Sequence, residues 1–190
     1  EAILLSAANE PITKANAAQY KDKLPPGVKI ELVIRDDGGP NPDKAKQLAQ
    51  ELIVRDKVQF LTGVVFTPNA LAIAPLTQEA KLPFFIGNAG TSVITERSPY
   101  IARFSMTLPQ ISAPMGTWAA KNGIKKVYTL VSDYGPGIDS ETAFRNAFAA
   151  AGGTIVDSVR VPLRNPEFAP FVQRIKASGA QAVYTFLPGG

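Results

Sequence analysis

The chain has 190 residues, of which 45% are hydrophobic and 19% charged, as is ordinary for a soluble globular protein. Its net charge is +4, but the charges are mixed along the chain, which argues against a nucleic-acid-binding stripe. It contains no Cys and no His, which excludes Ser-His-Asp and Cys-His catalysis and Cys/His zinc sites within the chain. No apolar run approaches the roughly 20 residues of a membrane span.

In the first half of the chain, short apolar runs alternate with segments of helical spacing. Helices are predicted at residues 12–24, at 42–53 and at 70–80. Asn41 and Thr67 are the expected N-caps of the last two, since a proline follows each at the first helical position. Strands are predicted at residues 2–7, 28–34, 58–61, 83–86 and 100–105.

The second half continues the alternation. A helix at 112–121 is expected to carry Met115, Trp118 and Ala119 on one side, with Trp118 in the core. Another helix presents apolar residues at 143–151. A third is expected to open at Asn165-Pro166 and to turn four apolar side chains inward: Phe168, Phe171, Val172 and Ile175. Strands are predicted at 126–131, 154–161 and 181–187.

This alternation predicts an α/β fold of two doubly wound lobes, each with a parallel sheet and helices on both faces. The aperiodic stretch 105–110 is the expected crossover, so the first lobe is predicted at 1–107 and part of the second at 108–190. The last strand is followed directly by Pro188-Gly189-Gly190. Because a doubly wound sheet normally continues at such a point, we expect the fold to be incomplete at the C-terminus.

Three loops at strand ends repeat one design, in which a small or hydroxyl residue precedes helical spacing. They begin at Gly63, Gly87 and Ser132. Ligands of open α/β sheets bind outside the carboxyl ends of the strands, and free amides at a helix start attract anions. Asp36-Asp37, beside two glycines, is predicted to be a turn rather than a metal site.

These loops also carry a family resemblance. In order along the chain, the segments 29–39, 42–58, 63–75, 87–99, 132–137 and 183–190 resemble type I periplasmic solute-binding proteins of ABC transporters. The resemblance is to the leucine/isoleucine/valine-binding family and, in look, to its aromatic-acid-binding members. It covers about 85% of the chain, roughly residues 28 to 190. Residues 2–24 depart from the family pattern, because they lack its Ser-Gly loop.

The resemblance implies that a ligand lies between two lobes that close by hinge bending. Thr67 would bind its carboxylate, while Asn88, Ala89, Gly90 and Thr91 would give backbone and hydroxyl contacts. Tyr134 would cover its apolar body, and Gly189 would lie on another loop of the cleft rim. Phe66 is either a second wall for the ligand or a core residue, since Phe is usually buried. In amino-acid binders, a carboxylate from the part beyond residue 190 holds the ammonium group.

The function implied is that of an ABC importer's solute-binding protein, which captures a benzoate- or cinnamate-like acid without catalysis, cofactor or metal. The resemblance also implies a periplasmic or lipid-anchored extracellular monomer that meets a membrane permease. Two alternatives stay open: a branched-chain amino-acid binder, and the ligand-sensing domain of a receptor or regulator. An enzyme of the doubly wound class is disfavoured by the absence of His and Cys.

Overall fold

The structure is a computed structural model that describes residues 2–3 and 30–188. Contacts divide the chain into two compact units, Glu1–Ser105 and Met106–Gly190. The helix predicted at 12–24, most of the strand at 2–7 and the start of the strand at 28–34 lie outside the described residues. That the two units are the lobes of a cleft, divided at 107/108, stays a prediction.

Unit 1 alternates short parallel strands with helices. Its helices are α1 (Pro42–Val54) and α2 (Thr67–Ala80), and a 3-10 turn lies at Ser92–Glu96. Its strands are β1 (Ala2–Ile3), β2 (Glu31–Leu32), β3 (Leu61–Gly63), β4 (Phe84–Ile86) and β5 (Ile101–Arg103). They pair in parallel as β1–β2 and as β3–β4–β5.

The core of unit 1 joins the buried face of α1 to α2 and the strands. Leu52 of α1, Ile73 of α2 and Phe84 of β4 belong to one buried apolar cluster. Each is at most 1% exposed, so at roughly 1.5–3 kcal/mol for each such side chain they hold the helices onto the sheet. Because β3, β4 and β5 pair in parallel, their carboxyl ends lie along one edge of the sheet.

The two predicted helix caps have different outcomes. The Asn41 cap is confirmed, since its side chain accepts a hydrogen bond from the Lys44 amide at 3.2 Å. The Thr67 cap is wrong, because the N-cap of α2 is Phe66 and Thr67 is its first helical residue. The Thr67 hydroxyl is engaged instead by a neighbouring loop, and Pro68 stands at the second helical position.

Unit 2 contains three strands and three helices in the described residues. Its strands are β6 (Lys126–Ser132), β7 (Thr154–Val161) and β8 (Ala182–Phe186), and its helices are α3 (Leu108–Lys121), α4 (Gly135–Ala150) and α5 (Ala169–Ala177). The strands form a parallel sheet in the order β7–β6–β8. The central strand β6 is buried at all residues but its first. The parallel α/β fold class predicted from the sequence is thus confirmed. Within residues 30–188, no helix has the length and apolar character needed to cross a membrane.

The predicted core position of Trp118 on α3 is wrong, since its side chain is 57% exposed and Met115 is also exposed. The buried side of α3 consists mainly of small residues, among them Ser112, Gly116 and Ala119. A Cβ added to Gly116 would lie 2.5 Å from the carbonyl oxygen of Phe144. The backbones of α3 and α4 therefore approach closely, which leaves no room for large side chains on that side.

The helix predicted at Asn165-Pro166 begins later, at Ala169, with Pro170 in its first turn. Asn165 has a left-handed φ of 49°, so it forms a turn instead of a helix cap. The four apolar side chains expected inward are not buried: Phe168 and Val172 are exposed, and Phe171 and Ile175 are half-buried.

Candidate functional site

Two loops of unit 1 lie side by side where β3 and β4 end. The Gly87 amide donates to the Gly63 carbonyl at 2.9 Å, and the Ala89 amide donates to the Val64 carbonyl at 3.1 Å. These bonds extend the parallel ladder past the strand ends. Val64 has a φ of 64°, a costly conformation for a β-branched residue, and strain of this kind clusters at binding sites.

The adjacent loops bring together two hydroxyls that the sequence predicts as ligand contacts. The Oγ1 atoms of Thr67 and Thr91 lie 2.8 Å apart, and the residues are only 2% and 7% exposed. Either hydroxyl can donate to the other. The pair has two hydroxyl protons, and only one of them lies in the hydrogen bond between the two threonines. The second proton is available to a third acceptor, and a carboxylate oxygen would make that bond charge-assisted.

The first turn of α2 offers an anion fewer amides than the sequence predicts. Pro68 has no amide hydrogen, and the amides of Asn69 and Ala70 donate to the Phe66 carbonyl at 3.1 and 3.2 Å. Because these donors are already engaged, the hydroxyl pair is a stronger candidate for binding an anion than the amides of the first turn.

The other predicted residues of unit 1 lie on the same two loops. Asn88 is exposed, Ala89 and Gly90 are buried, and Phe66 is half-buried beside Thr67. Their contacts with a ligand stay a prediction.

Arg103 is a residue of this rim that the sequence interpretation missed. Its Nε donates to the Ala89 carbonyl at 3.1 Å, and its guanidinium also donates to the Thr91 carbonyl. The signal in the sequence was a basic residue at the end of a third parallel strand, at the edge where the other two loops begin.

The Asp36-Asp37 turn is tied to the start of α2. The Asn69 amide group donates to the Asp37 carboxylate at 2.7 Å and to the Gly39 carbonyl at 2.8 Å, while the Gly39 amide donates to Asp37 at 3.2 Å. These bonds give Asp37 a structural role. In the described part of the chain, no cluster of three or more His, Cys, Asp or Glu residues could hold a metal ion.

In unit 2, Tyr134 follows β6 and is the N-cap residue of α4. Its ring stacks on Phe186, at the end of β8, with centroids 6.5 Å apart and planes at 29°. Burial raises the pKa of Tyr134 to about 12. A Cβ at Gly137 would lie 1.9 Å from the Ser132 carbonyl oxygen, so only glycine lets α4 start so close to the strand.

Phe186 was also missed, although its sequence signal was an aromatic at the end of the predicted strand 181–187. Tyr134 and Phe186 form a half-buried aromatic pair where two neighbouring strands end. Such a pair is suited to stacking on a planar apolar group. The predicted contact Gly189 lies outside the described residues.

Comparison with known proteins decides the family. Residues 6–190 match the model of the periplasmic binding protein family. The chain belongs to this family. The resemblance inferred from the sequence is therefore confirmed, and the fold is that of a type I periplasmic binding protein.

The relatives of this periplasmic binding protein have two kinds of names. A Brucella abortus protein named Leu/Ile/Val-binding protein homolog 6 is 48% identical over 161 residues, which are 85% of this chain and 41% of that protein. The structure of an ABC-transporter solute-binding protein from R. palustris in complex with 4-hydroxybenzoate is 48% identical, with a TM-score of 0.91. A further solute-binding protein, from Rhodopseudomonas palustris BisB5 in complex with 3,4-dihydroxybenzoic acid, is 47% identical with a TM-score of 0.87.

The match to both structures covers 100% of this chain and 54% of theirs. The chain therefore spans about half the length of the solved relatives and less than half that of the curated one.

Proposed function

We propose that this chain is part of the solute-binding protein of an ABC importer, and that this protein captures a small aromatic carboxylate. The observation that carries the proposal is the Thr67–Thr91 hydroxyl pair, held 2.8 Å apart at the carboxyl ends of parallel strands. Support comes from the solved relatives in complex with hydroxylated benzoates.

The carboxylate is bound by unit 1. The hydroxyl pair donates one charge-assisted hydrogen bond, and the loop 88–91 completes the shell through its backbone. A planar acid also needs an apolar surface. Phe66 on unit 1 and the Tyr134–Phe186 pair on unit 2 supply aromatic faces, on the proposal that the two units are lobes that close over the ligand.

The remaining parts of the proposal follow from the family. Periplasmic binding proteins are in general not enzymes, so the ligand is delivered unchanged to a membrane permease. The protein acts in the periplasm, or anchored by lipid to the outer face of the cell, as a monomer without a cofactor.

A branched-chain amino acid is the second candidate, because the Brucella relative is named for leucine, isoleucine and valine. Its ammonium group would need a carboxylate partner, whereas an aromatic acid needs only the hydroxyls and an aromatic wall. The aromatic pair of unit 2 favours the acid. A sensory domain remains a third candidate, which the architecture of the full-length gene product decides.

The test is a calorimetric titration of the full-length protein with benzoate, 4-hydroxybenzoate, 3,4-dihydroxybenzoate and leucine. We expect binding of at least one aromatic acid and weaker binding of leucine. Small-angle scattering with the bound acid should show a smaller radius of gyration, since a ligand that touches both units favours closure. Preference for leucine would move the proposal to the amino-acid class, and binding without compaction would confine the site to one unit.

Tyr134→Ala tests the contribution of unit 2. Loss of a buried aromatic anchor should cost about 1–3 kcal/mol of affinity for the acid. The exposed Trp118, on a separate helix of the same unit, gives the control variant Trp118→Ala, which should bind normally. If Tyr134→Ala binds as tightly as the parent, the half of the proposed site on unit 2 is wrong.

A further inference from the structure

We propose that Arg103 is a positioning residue that fixes the ligand loop 87–91 through two of its carbonyl groups. The inference rests on the proposed function, in which Thr91 binds a carboxylate. In this role Arg103 does not touch the ligand. It sets the direction in which the Thr91 hydroxyl and the neighbouring amides point.

The register of the sheet places Arg103 beside the end of β4, where the ligand loop begins. β5 pairs in parallel with β4, with Arg103 opposite Ile86, and the Phe104 amide donates to the Ile86 carbonyl at 3.0 Å. Ile86 is the last residue of β4, after which the ligand loop begins. The Arg103 side chain therefore starts where the loop leaves the sheet, and its length lets it follow the loop to residues 89 and 91.

A hydrogen bond to a carbonyl group also fixes the direction of the amide in the same peptide. The described chain has no cis peptide bonds, and in a trans peptide the C=O and N–H groups point in opposite directions. Because the Ala89 carbonyl faces the guanidinium, the Gly90 amide faces away from it. Arg103 thereby turns a carbonyl oxygen, which would repel a carboxylate, to one side of the loop and an amide hydrogen to the other.

Thr91 is held at two points. Its carbonyl accepts from Arg103, and its hydroxyl bonds to Thr67. The earlier part of the loop is attached to residues 63 and 64 through the amides of Gly87 and Ala89. Arg103 thus extends the attachment of the loop from the strand end to Thr91, whose hydroxyl contacts the ligand in the proposed function.

The planar guanidinium is suited to this task because its donors form a rigid fork that can serve two acceptors at once. A lysine has the same charge but a single flexible point of donation. Two substitutions separate geometry from charge: Arg103→Lys keeps the charge and loses the fork, and Arg103→Met loses both. Arg97, exposed after the 3-10 turn, provides the control variant Arg97→Lys.

The first measurement is hydrogen exchange of the ligand-free full-length protein, followed in peptides that cover residues 87–92. We expect exchange in this segment to be faster by about tenfold in both Arg103 variants, the scale of one lost charge-assisted hydrogen bond, and unchanged in Arg97→Lys. The second measurement is calorimetric affinity for 4-hydroxybenzoate. It should fall by about tenfold in Arg103→Lys as well as in Arg103→Met.

Three results would overturn the proposal. Retained affinity and normal exchange in Arg103→Lys would mean that the charge alone matters. Faster exchange throughout unit 1 would make Arg103 a residue of general stability. Unchanged exchange at 87–92 in both variants would mean that the loop does not depend on it. If the parent protein binds none of the acids, the proposed function fails, while the exchange experiment still tests the positioning role.

Discussion

Replacement of Thr67 by Val tests the centre of the proposed site. The side chain keeps its shape and its place in the first turn of α2, but it loses the hydroxyl that lies 2.8 Å from the Thr91 hydroxyl. Because the N-cap of α2 is Phe66, the substitution removes no helix cap. Any loss of stability must therefore come from the hydroxyl pair itself.

The magnitude follows from burial. Thr91 is 7% exposed, so in Thr67→Val its hydroxyl is left in a largely dry position without this partner. An orphaned polar group costs about 1–3 kcal/mol of unfolding free energy. Affinity for a carboxylate should also fall by about 1.5–3 kcal/mol, the worth of a hydrogen bond to a charged group, or about 10- to 150-fold in the dissociation constant.

The assay combines urea unfolding with calorimetric titration of 4-hydroxybenzoate for Thr67→Val, Thr91→Val and the double variant. The double variant should be more stable than the sum of the single losses predicts, because it removes both partners of one bond. Exposed Thr95 in the 3-10 turn gives the control Thr95→Val, which should change neither quantity. Strictly additive losses of stability would refute the hydroxyl pair, and unchanged affinity in Thr67→Val would refute its role in carboxylate binding.

Three further outcomes test other parts of the structure. Gly116→Ala should destabilise the protein by about 1–3 kcal/mol in urea unfolding, since the new Cβ would meet the Phe144 carbonyl at 2.5 Å, and an unchanged midpoint would contradict the close helix contact. Glu141→Gln should cost about 1–3 kcal/mol, because the 1%-exposed carboxylate accepts from Arg160 at 2.9 Å; a neutral result would mean that the ion pair adds nothing. The phenolate absorbance of Tyr134, obtained as the difference between the parent protein and Tyr134→Phe, should titrate near the raised pKa of about 12. Since that pKa lies above the unfolded value, the contribution of Tyr134 to stability is full below pH 10 and is lost as the pH rises towards 12, and a titration near 10 would show the ring to be exposed.

The fold was predictable because its strongest signals are local. The central strand β6 is rich in β-branched and aromatic residues, and Asn41-Pro42 is a local cap signal; both appear in the structure as expected. The side of α3 that is buried was not predictable in this way. Periodicity assigns the large apolar residues to the core, but the contact with α4 selects small ones, and Trp118 is left exposed. Which faces meet is a property of the packed pair, and neither helix alone contains it.

The candidate site was predictable in part, for a similar reason. Strand ends followed by hydroxyl or glycine residues marked the loops of Thr67, Thr91 and Tyr134. That the two threonines bond to each other depends on the parallel register of β3 and β4, over a separation of 24 residues. Arg103 and Phe186 were missed because each acts on a loop that follows a different strand.

The two loops of unit 1 that follow β3 and β4 are held by tertiary hydrogen bonds rather than by local conformational preference. Val64 adopts a left-handed backbone, which costs about 1–3 kcal/mol, yet its carbonyl accepts from Ala89 and its side chain is 2% exposed. On the second loop, Arg103 donates to the carbonyl groups of Ala89 and Thr91. The unfavourable conformation is thus offset within the fold before any ligand arrives. In the proposed function, carboxylate affinity therefore depends on how firmly the two loops are joined. The dipole of α2, whose early amides already bond to Phe66, contributes less than the helix-start pattern alone would predict.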